Sequence, residues 1–344
     1  MLAVHPPTKD IKPYIHRLTQ GELFNIKDAQ TAFEFLISGD ATDAQIGAFL
    51  IGLAARGETI QEIIGAVQAM RGKQLPIDAP TDAVDCCGTG GDGANTFNIS
   101  TAVSFIAAGC GVPVAKHGNR SASSKSGAAD VLEALGINLT APTTAHYKAL
   151  RRHNICFLMA QKHHPAAKHV APVRSQLGTR TIFNLLGPLL NPAGTKKQLI
   201  GVYDKKWMKP LAEVLKILGS ETAWIVHGSD GLDEITTTGK TFVTELRKGK
   251  IQSFEIHPHE VDIGLYTLED LKGGTPQENA QALKELLNGK RGAYRDIALL
   301  NSAAVLVVAD KAQNLKEGFA MAAHSLDNGL ALNALQKLIE LTNK

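Results

Sequence analysis

Residues 88–93 read Gly88-Thr89-Gly90-Gly91-Asp92-Gly93, which fits G-x-G-x-x-G, the glycine fingerprint of dinucleotide-binding folds. The stretch before it, "AVDCC" (83–87), is an apolar, strand-like run, and "FNISTAVSFIAAG" (97–109) after it has helical periodicity. Strand, glycine loop and helix in this order open an α/β unit. A dinucleotide site would also need an acidic residue about 20 positions further on, to hold the ribose hydroxyls. No Asp or Glu occurs between Asp92 and Asp130. The next strand instead runs into Lys116 and "HGNRSASSKSG" (117–127), with Arg120 and Lys125 among Ser121, Ser123, Ser124 and Ser126. The dinucleotide reading fails there.

The same residues suit phosphate. A glycine loop offers backbone N–H groups to phosphate oxygens, and "NIST" (98–101) adds hydroxyls and the positive end of a helix dipole. The unit from Val114 to Leu135 repeats strand, loop and helix with cations added. Two such loops at neighbouring strand ends would face one crevice, the usual ligand site of open α/β sheets. They imply a ligand with two separated phosphate groups; the alternative is that the glycines only make turns and the serines only cap helices. Clustered phosphates near a breaking bond call for Mg²⁺. "VHGSDGLDEITTT" (226–238) supplies Asp233 and Glu234, adjacent carboxylates expected in an exposed loop with no packing role.

Working outward, residues 1–73 read as all-helical. Ile46, Phe49, Leu50 and Leu53 recur at helical spacing, Gly57 is placed to end that helix, and Thr59 to Glu62 has capping-box spacing. "KQLPIDAPTDA" (73–83) is a proline-bearing connector. Beyond it, Val84–Cys87, Val112–Ala115, Ile155–Ala160, Leu199–Tyr203 and Ala223–Val226 read as buried strands between helices, which predicts a largely parallel sheet. "FVTELRKGKIQSFEIHP" (242–258) reads as an antiparallel hairpin, and the chain from Pro276 onward as mostly helix. The expected fold class is α/β: a small all-helical N-terminal domain plus a larger α/β domain with a mostly parallel central sheet. The expected division is a helical domain of residues 1–76, joined by a helical segment within 174–196, and an α/β domain of residues 77–344.

Composition narrows the function. Thirty-six basic against 33 acidic side chains leave a formal charge of +3 in 344 residues, so no bulk electrostatic case exists for nucleic acid or an anionic membrane. Cys86, Cys87, Cys110 and Cys156 form no C-x-x-C pair, which suits buried thiols in a reducing cytoplasm. The N-terminus lacks the apolar core of a signal peptide, and no apolar run approaches the roughly 18 residues needed to span a bilayer. A soluble, cytoplasmic protein is expected. In "QKHHPAAKHVAPVRSQLGTRTIFNLLGPLLNP" (161–192), His163, His164 and His169 have no nearby acidic or Cys partner and do not read as a zinc site. Arg174 and Arg180 lie beside apolar, glycine-rich sequence, where an Arg is suited to bidentate capture of a carboxylate.

Together, "GTGGDGANTFNIST" (88–101), "KHGNRSASSKSG" (116–127), "HPAAKHVAPVRSQLGTRTIFNLLGPLLNPAG" (164–194) and "HGSDGLDEI" (227–235) resemble the anthranilate phosphoribosyltransferases, in that family's order. The resemblance implies transfer of a phosphoribosyl group from 5-phosphoribosyl 1-diphosphate to the amino group of anthranilate, a step of tryptophan biosynthesis, with release of pyrophosphate. It implies the fold shared with nucleoside phosphorylases and a homodimer. Carried over by motif, Gly88, Gly91, Asp92, Thr96, Asn98, Ile99, Ser100 and Thr101 form the diphosphate loop. Lys116, His117, Gly118, Asn119, Arg120, Ser121, Ala122, Ser123 and Ser124 form the second loop, followed by Ala128. Gly88, Asn119 and Arg174 are the implied anthranilate contacts, and Ser100, Asp233 and Glu234 the implied Mg²⁺ residues. Ala128 stands where relatives often carry a serine, and Gln161, Lys162 and Ala167 replace what is often Pro-Arg and a larger residue. An aromatic amine is neutral at pH 7, so its attack needs no strong base, which agrees with the absence of a Ser-His-Asp or Cys-His arrangement. The alternative within the same fold is a pyrimidine nucleoside phosphorylase.

Overall fold

The computed structural model describes residues 10–121 and 125–344. Helices α1 (Lys12–Thr19), α2 (Ile26–Leu36), α3 (Asp43–Arg56) and α4 (Ile60–Arg71) come first. Then follow β1 (Val84–Gly88), α5 (Ile99–Gly109), β2 (Val114–Gly118), α6 (Ala128–Ala134), α7 (Thr143–His153) and β3 (Ile155–Met159). Short helices α8 (Ala160–His163), α9 (Ala171–Leu177) and α10 (Phe183–Leu186) lead into β4 (Lys197–Gly201), α11 (Met208–Ile217), β5 (Thr222–Gly228), β6 (Thr241–Arg247) and β7 (Lys250–Ile256). The chain closes with α12 (Pro276–Leu287), α13 (Ala293–Val308), α14 (Leu315–Asp327) and α15 (Leu330–Thr342).

The chain forms two compact units. One comprises residues 1–75 and 161–190. Its helices form where local signals place them: Thr42 with Gln45 and Thr59 with Glu62 make capping boxes, and Gly57 ends α3 at φ +93°. Ile46, Phe49, Leu50 and Leu53 are all at most 1% exposed, and Phe24, Phe33, Phe49 and Phe183 pack as aromatic pairs. Glu62 is fully buried because it also accepts from Phe24 N–H and pairs with Arg56. The returning segment covers residues 161–190. Hydrogen bonds far apart in sequence fix these limits: Leu75 N–H donates to His163 O at 2.8 Å, and the Arg71 guanidinium donates to Leu189 O at 2.7 and 3.1 Å.

The other unit, residues 76–160 and 191–344, carries a seven-stranded sheet in the order β3-β2-β1-β4-β5-β6-β7. The first five are parallel and β6 and β7 antiparallel, so both the mostly parallel sheet and the hairpin are as the sequence predicts. From β1 the chain winds outward through β2 and β3, then returns to β1's other side through β4 and β5. The carboxyl ends of β1 and β4 therefore border the switch point, where open α/β sheets bind ligands. Helices α5 and α13 contribute to the apolar layer against the sheet, with Ile297 through Val308 all buried. No helix among the described residues is long and apolar enough to cross a membrane.

Candidate active site

Four of the five parallel strands end in glycine: Gly88, Gly118, Gly201 and Gly228. At the switch point Gly88 and Gly201 are register partners, and the Asp233 loop sits on both. A Cβ on Gly88 would lie 2.2 Å from Asp233 Oδ2, and one on Gly201 would lie 1.5 Å from Asp233 O. Gly90 N–H donates to Asp233 Oδ2 at 2.7 Å, and Thr89 joins Gly201 and Tyr203 through N–H and hydroxyl bonds of 2.9 and 3.1 Å. Gly90, Gly91 and Gly93 all have φ between +66° and +79°, which explains the glycines of the loop. Leu232 and Ile235 are fully buried on either side of the carboxylates. Asn301 on α13 brackets Ile235, accepting from its N–H at 2.9 Å and donating to its O at 2.8 Å.

Asp233 and Glu234 are therefore not the solvated loop pair expected from sequence. Both are only partly exposed, because the glycines let the loop settle against the strand ends. Burial, with Asp92 beside it, pushes the Asp233 carboxyl up to about 7, against the opposing bond from Gly90 N–H. Burial and the Asp233 charge also raise Glu234, while Lys116 and the Ser100 N–H oppose. Lys116 is itself buried; its Nζ donates to Cys86 O at 2.6 Å and Ser100 Oγ at 3.2 Å. Burial works against the Lys116 charge, but Cys86, Cys87, Asp85 and Glu234 hold its pKa above the ordinary lysine value. Among the described residues no group of three or more His, Cys, Asp and Glu side chains is disposed to hold a metal ion. Two crowded carboxylates and a hydroxyl still fit Mg²⁺, which takes hard oxygen ligands and keeps several waters and substrate phosphates in its shell. A divalent cation would relieve the like-charge crowding that raises both carboxyls.

The other implied phosphate residues line the ends of β1 and β2. Asn98 stands at the N-cap position of α5, and Ile99, Ser100 and Thr101 form its first turn. The Thr101 hydroxyl is buried and without a hydrogen-bond partner among the described residues. Thr96 is held further out by an antiparallel bridge to Lys272. His117 N–H donates to buried Asp85 at 3.1 Å, and Asn191 Nδ2 donates to the same carboxylate at 2.7 Å. Gly118 closes β2 against Phe157 and Ala128, where any Cβ would lie 2.8 Å from the Phe157 ring. Ala128, the first residue of α6, has no polar side chain to offer. Asn119 is exposed. Arg120 turns back to Asp130 and Glu133 at 2.8–3.1 Å, and these carboxylates raise its pKa. Ser121 N–H donates to Asp130 at 3.1 Å. Ala122, Ser123 and Ser124 lie outside the described residues.

In the helical unit, Arg174 on α9 lies with its guanidinium 5.0 Å from the centre of the Phe183 ring. Burial lowers its pKa, and no carboxylate is paired with it among the described residues. Arg180 is exposed. His163 contacts Leu75 O at 2.7 Å, and burial lowers the His164 pKa to about 4, so these histidines serve packing. Sequence reading missed Gly201, although a glycine ending the apolar run "QLIG" was the available signal. It also missed Asp85, for which no motif gives a signal, and Asn191, which lies in the quoted 164–194 stretch.

The family described as "Glycosyl transferase family, a/b domain" matches residues 80–332, and "Glycosyl transferase family, helical bundle domain" matches residues 12–73. The anthranilate phosphoribosyltransferase of Beijerinckia indica is 55% identical over 97% of this chain and 97% of its own length. The crystal structure of anthranilate phosphoribosyltransferase from Thermus thermophilus superposes with a TM-score of 0.91 at 39% identity, covering 96% of this chain and 99% of that one. The Saccharomyces cerevisiae enzyme in complex with PRPP and Mg superposes with a TM-score of 0.89 at 29% identity, covering 97% and 98%. With these relatives matching nearly end to end and a glycine-seated carboxylate pair at the switch point, the chain belongs to the anthranilate phosphoribosyltransferase family.

Proposed function

We propose that this chain transfers the phosphoribosyl group of 5-phosphoribosyl 1-diphosphate to the amino group of anthranilate, releasing pyrophosphate, in tryptophan biosynthesis. One observation supports the reading: the Asp233–Glu234 loop rests on Gly88 and Gly201 at the ends of β1 and β4, and Lys116 Nζ reaches Ser100 in the first turn of α5. Breaking the C1–oxygen bond of the ribose leaves an oxocarbenium-like sugar and an anionic pyrophosphate. The positive end of the α5 dipole and the Ser100 hydroxyl in its first turn receive that anion. Lys116 supplies a fixed positive charge beside the first turn of α5 and orients the Ser100 hydroxyl. The glycine loop, Thr96, Asn98–Thr101 and the loop Lys116–Ser124 with Ala128 form the phosphoribosyl diphosphate site in this reading. Asp233, Glu234 and Ser100 would hold Mg²⁺, which when bound neutralises charge on the departing diphosphate. Arg174, partly buried and with no carboxylate paired to it among the described residues, is suited to the carboxylate of anthranilate. Anthranilate's neutral amine brings its own lone pair, so the protein's share is positioning.

The test is anthranilate fluorescence, followed after adding phosphoribosyl diphosphate and Mg²⁺. Loss of signal dependent on all three supports the reading. Consumption of thymidine plus phosphate instead would assign a pyrimidine nucleoside phosphorylase. A cytoplasmic homodimer is part of the same proposal, checked by light scattering in solution.

A further inference from the structure

Asn98 breaks a local rule. Asparagine at an N-cap position ordinarily turns its side-chain oxygen onto the N–H groups of the first helical turn. Here Asn98 stands at the N-cap of α5, with φ −77° and ψ 73°, and its side chain makes no cap bond. Its Oδ1 accepts from Asn279 Nδ2 at 2.8 Å and from the Ser126 hydroxyl at 3.4 Å instead, and its Nδ2 donates to Ser126 O at 3.2 Å. Asn279 lies on α12, is 1% exposed, and holds its own orientation by accepting from Gly274 N–H at 2.8 Å. Around this contact the segment before α12 is stitched to the glycine loop. Phe97 N–H donates to Leu271 O at 3.0 Å and Gly273 N–H to Asn95 O at 2.8 Å. A Cβ on Gly273 would lie 2.6 Å from Thr96 O, so only glycine permits the approach. Tyr294 stacks on Phe97 at 4.4 Å and donates its hydroxyl to Asn98 O at 3.2 Å.

We infer that Asn279 is a positioning residue for the phosphoribosyl diphosphate site. It draws the Asn98 amide off the first turn of α5, where Ile99 N–H and Ser100 N–H already serve Phe97 O and Glu234, leaving Thr101 N–H to phosphate, and through Asn98 it ties the glycine loop to Ser126 of the second loop. The inference rests on the proposed function. None of the sequence stretches quoted for the resemblance contains Asn279, and it acts on the site through Asn98.

Asn279→Asp is the decisive variant. The carboxylate keeps the shape and the acceptor for Gly274 N–H but has no proton for Asn98 Oδ1, so Asn98 keeps only its two Ser126 bonds and its oxygen can turn toward α5. Losing one such bond predicts a rise of about 5- to 10-fold in KM for phosphoribosyl diphosphate. kcat and KM for anthranilate should stay near wild type, and calorimetry should show phosphoribosyl diphosphate binding weakened by the same factor. Tyr294→Phe keeps the ring stack, removes only the hydroxyl bond to Asn98 O, and should shift the same KM in the same direction by less. It decides alone if Asn279→Asp does not fold. An unchanged KM for phosphoribosyl diphosphate in a folded variant overturns the inference, as does an equal rise in both KM values. A wild-type protein that does not consume anthranilate with phosphoribosyl diphosphate overturns the proposed function itself, a separate result from either variant's.

Discussion

Gly201→Ala tests whether the carboxylate loop owes its position to the missing side chain. The new methyl would lie 1.5 Å from Asp233 O and 2.4 Å from Asp233 C, and both are backbone atoms that no rotamer change can move. Non-bonded contacts with carbon settle near about 3.5 Å, so the chain at Asp233 must retreat by about 2 Å. Buried Leu232 and Ile235, and the two bonds from Asn301, anchor the loop on both sides and limit sliding. The retreat breaks the 2.7 Å bond from Gly90 N–H and displaces both carboxylates. A misplacement of about 1 Å costs about 100-fold, so kcat/KM should fall by at least about 100-fold. Overpacking of this kind also costs about 1–3 kcal/mol, seen as a lower thermal midpoint in a still-folded protein. Gly88→Ala meets mainly the tip of the Asp233 carboxylate, which can turn, and should lose less activity. Gly264→Ala, with no atom within 4 Å of its Cβ, should behave as wild type in both assays. The anthranilate fluorescence assay and circular-dichroism melts measure these effects. A folded Gly201→Ala protein with near-normal kcat/KM would falsify the seating argument.

Asp233→Asn with Glu234→Gln should abolish Mg²⁺-dependent turnover while raising the thermal midpoint of the metal-free protein, because it removes like charges that burial disfavours; near-normal turnover at limiting Mg²⁺ would refute the metal assignment. Arg174→Ala should lower kcat/KM for anthranilate by about 10- to 150-fold, with Arg174→Lys recovering only part. Aniline, which lacks the carboxylate, should hardly distinguish these variants from wild type, and an equal loss on both amines would mean that Arg174 only shapes the pocket. Arg120→Ala should leave KM for phosphoribosyl diphosphate within a small factor of wild type, since Asp130 and Glu133 already occupy the guanidinium; a large rise would show that it swings to the phosphate. Glu245 and Asp310 are held below ordinary carboxylates; burial opposes this, but hydrogen bonds from Arg247 to both and from Lys197 to Asp310 outweigh it. A depressed folded-state pKa contributes stability above the unfolded pKa and loses it as pH falls through the folded value. The stability gap between wild type and Arg247→Met should therefore be largest near neutrality and close below about pH 4, as read from urea midpoints across pH; a gap that widens in acid would contradict the linkage.

The capping boxes at Thr42 and Thr59, the helical repeat of Ile46 to Leu53 and the parallel strands were legible in the chain. Caps, periodicity and turns depend on residues only a few positions apart, so the sequence alone determines them. It also singled out the two glycine-bearing loops and the Asp233–Glu234 pair by motif. What it could not settle is where charged and amide groups find their partners. Asp233 meets Gly90 across 143 residues and Asn279 meets Asn98 across 181. Lys116 and Arg120 share one loop motif, yet one is buried against Ser100 and the other is captured by α6. Only the tertiary structure decides which charges are desolvated. Burial then decides their protonation, because a low-dielectric surrounding penalises each charge that distant parts of the chain have not met with a partner.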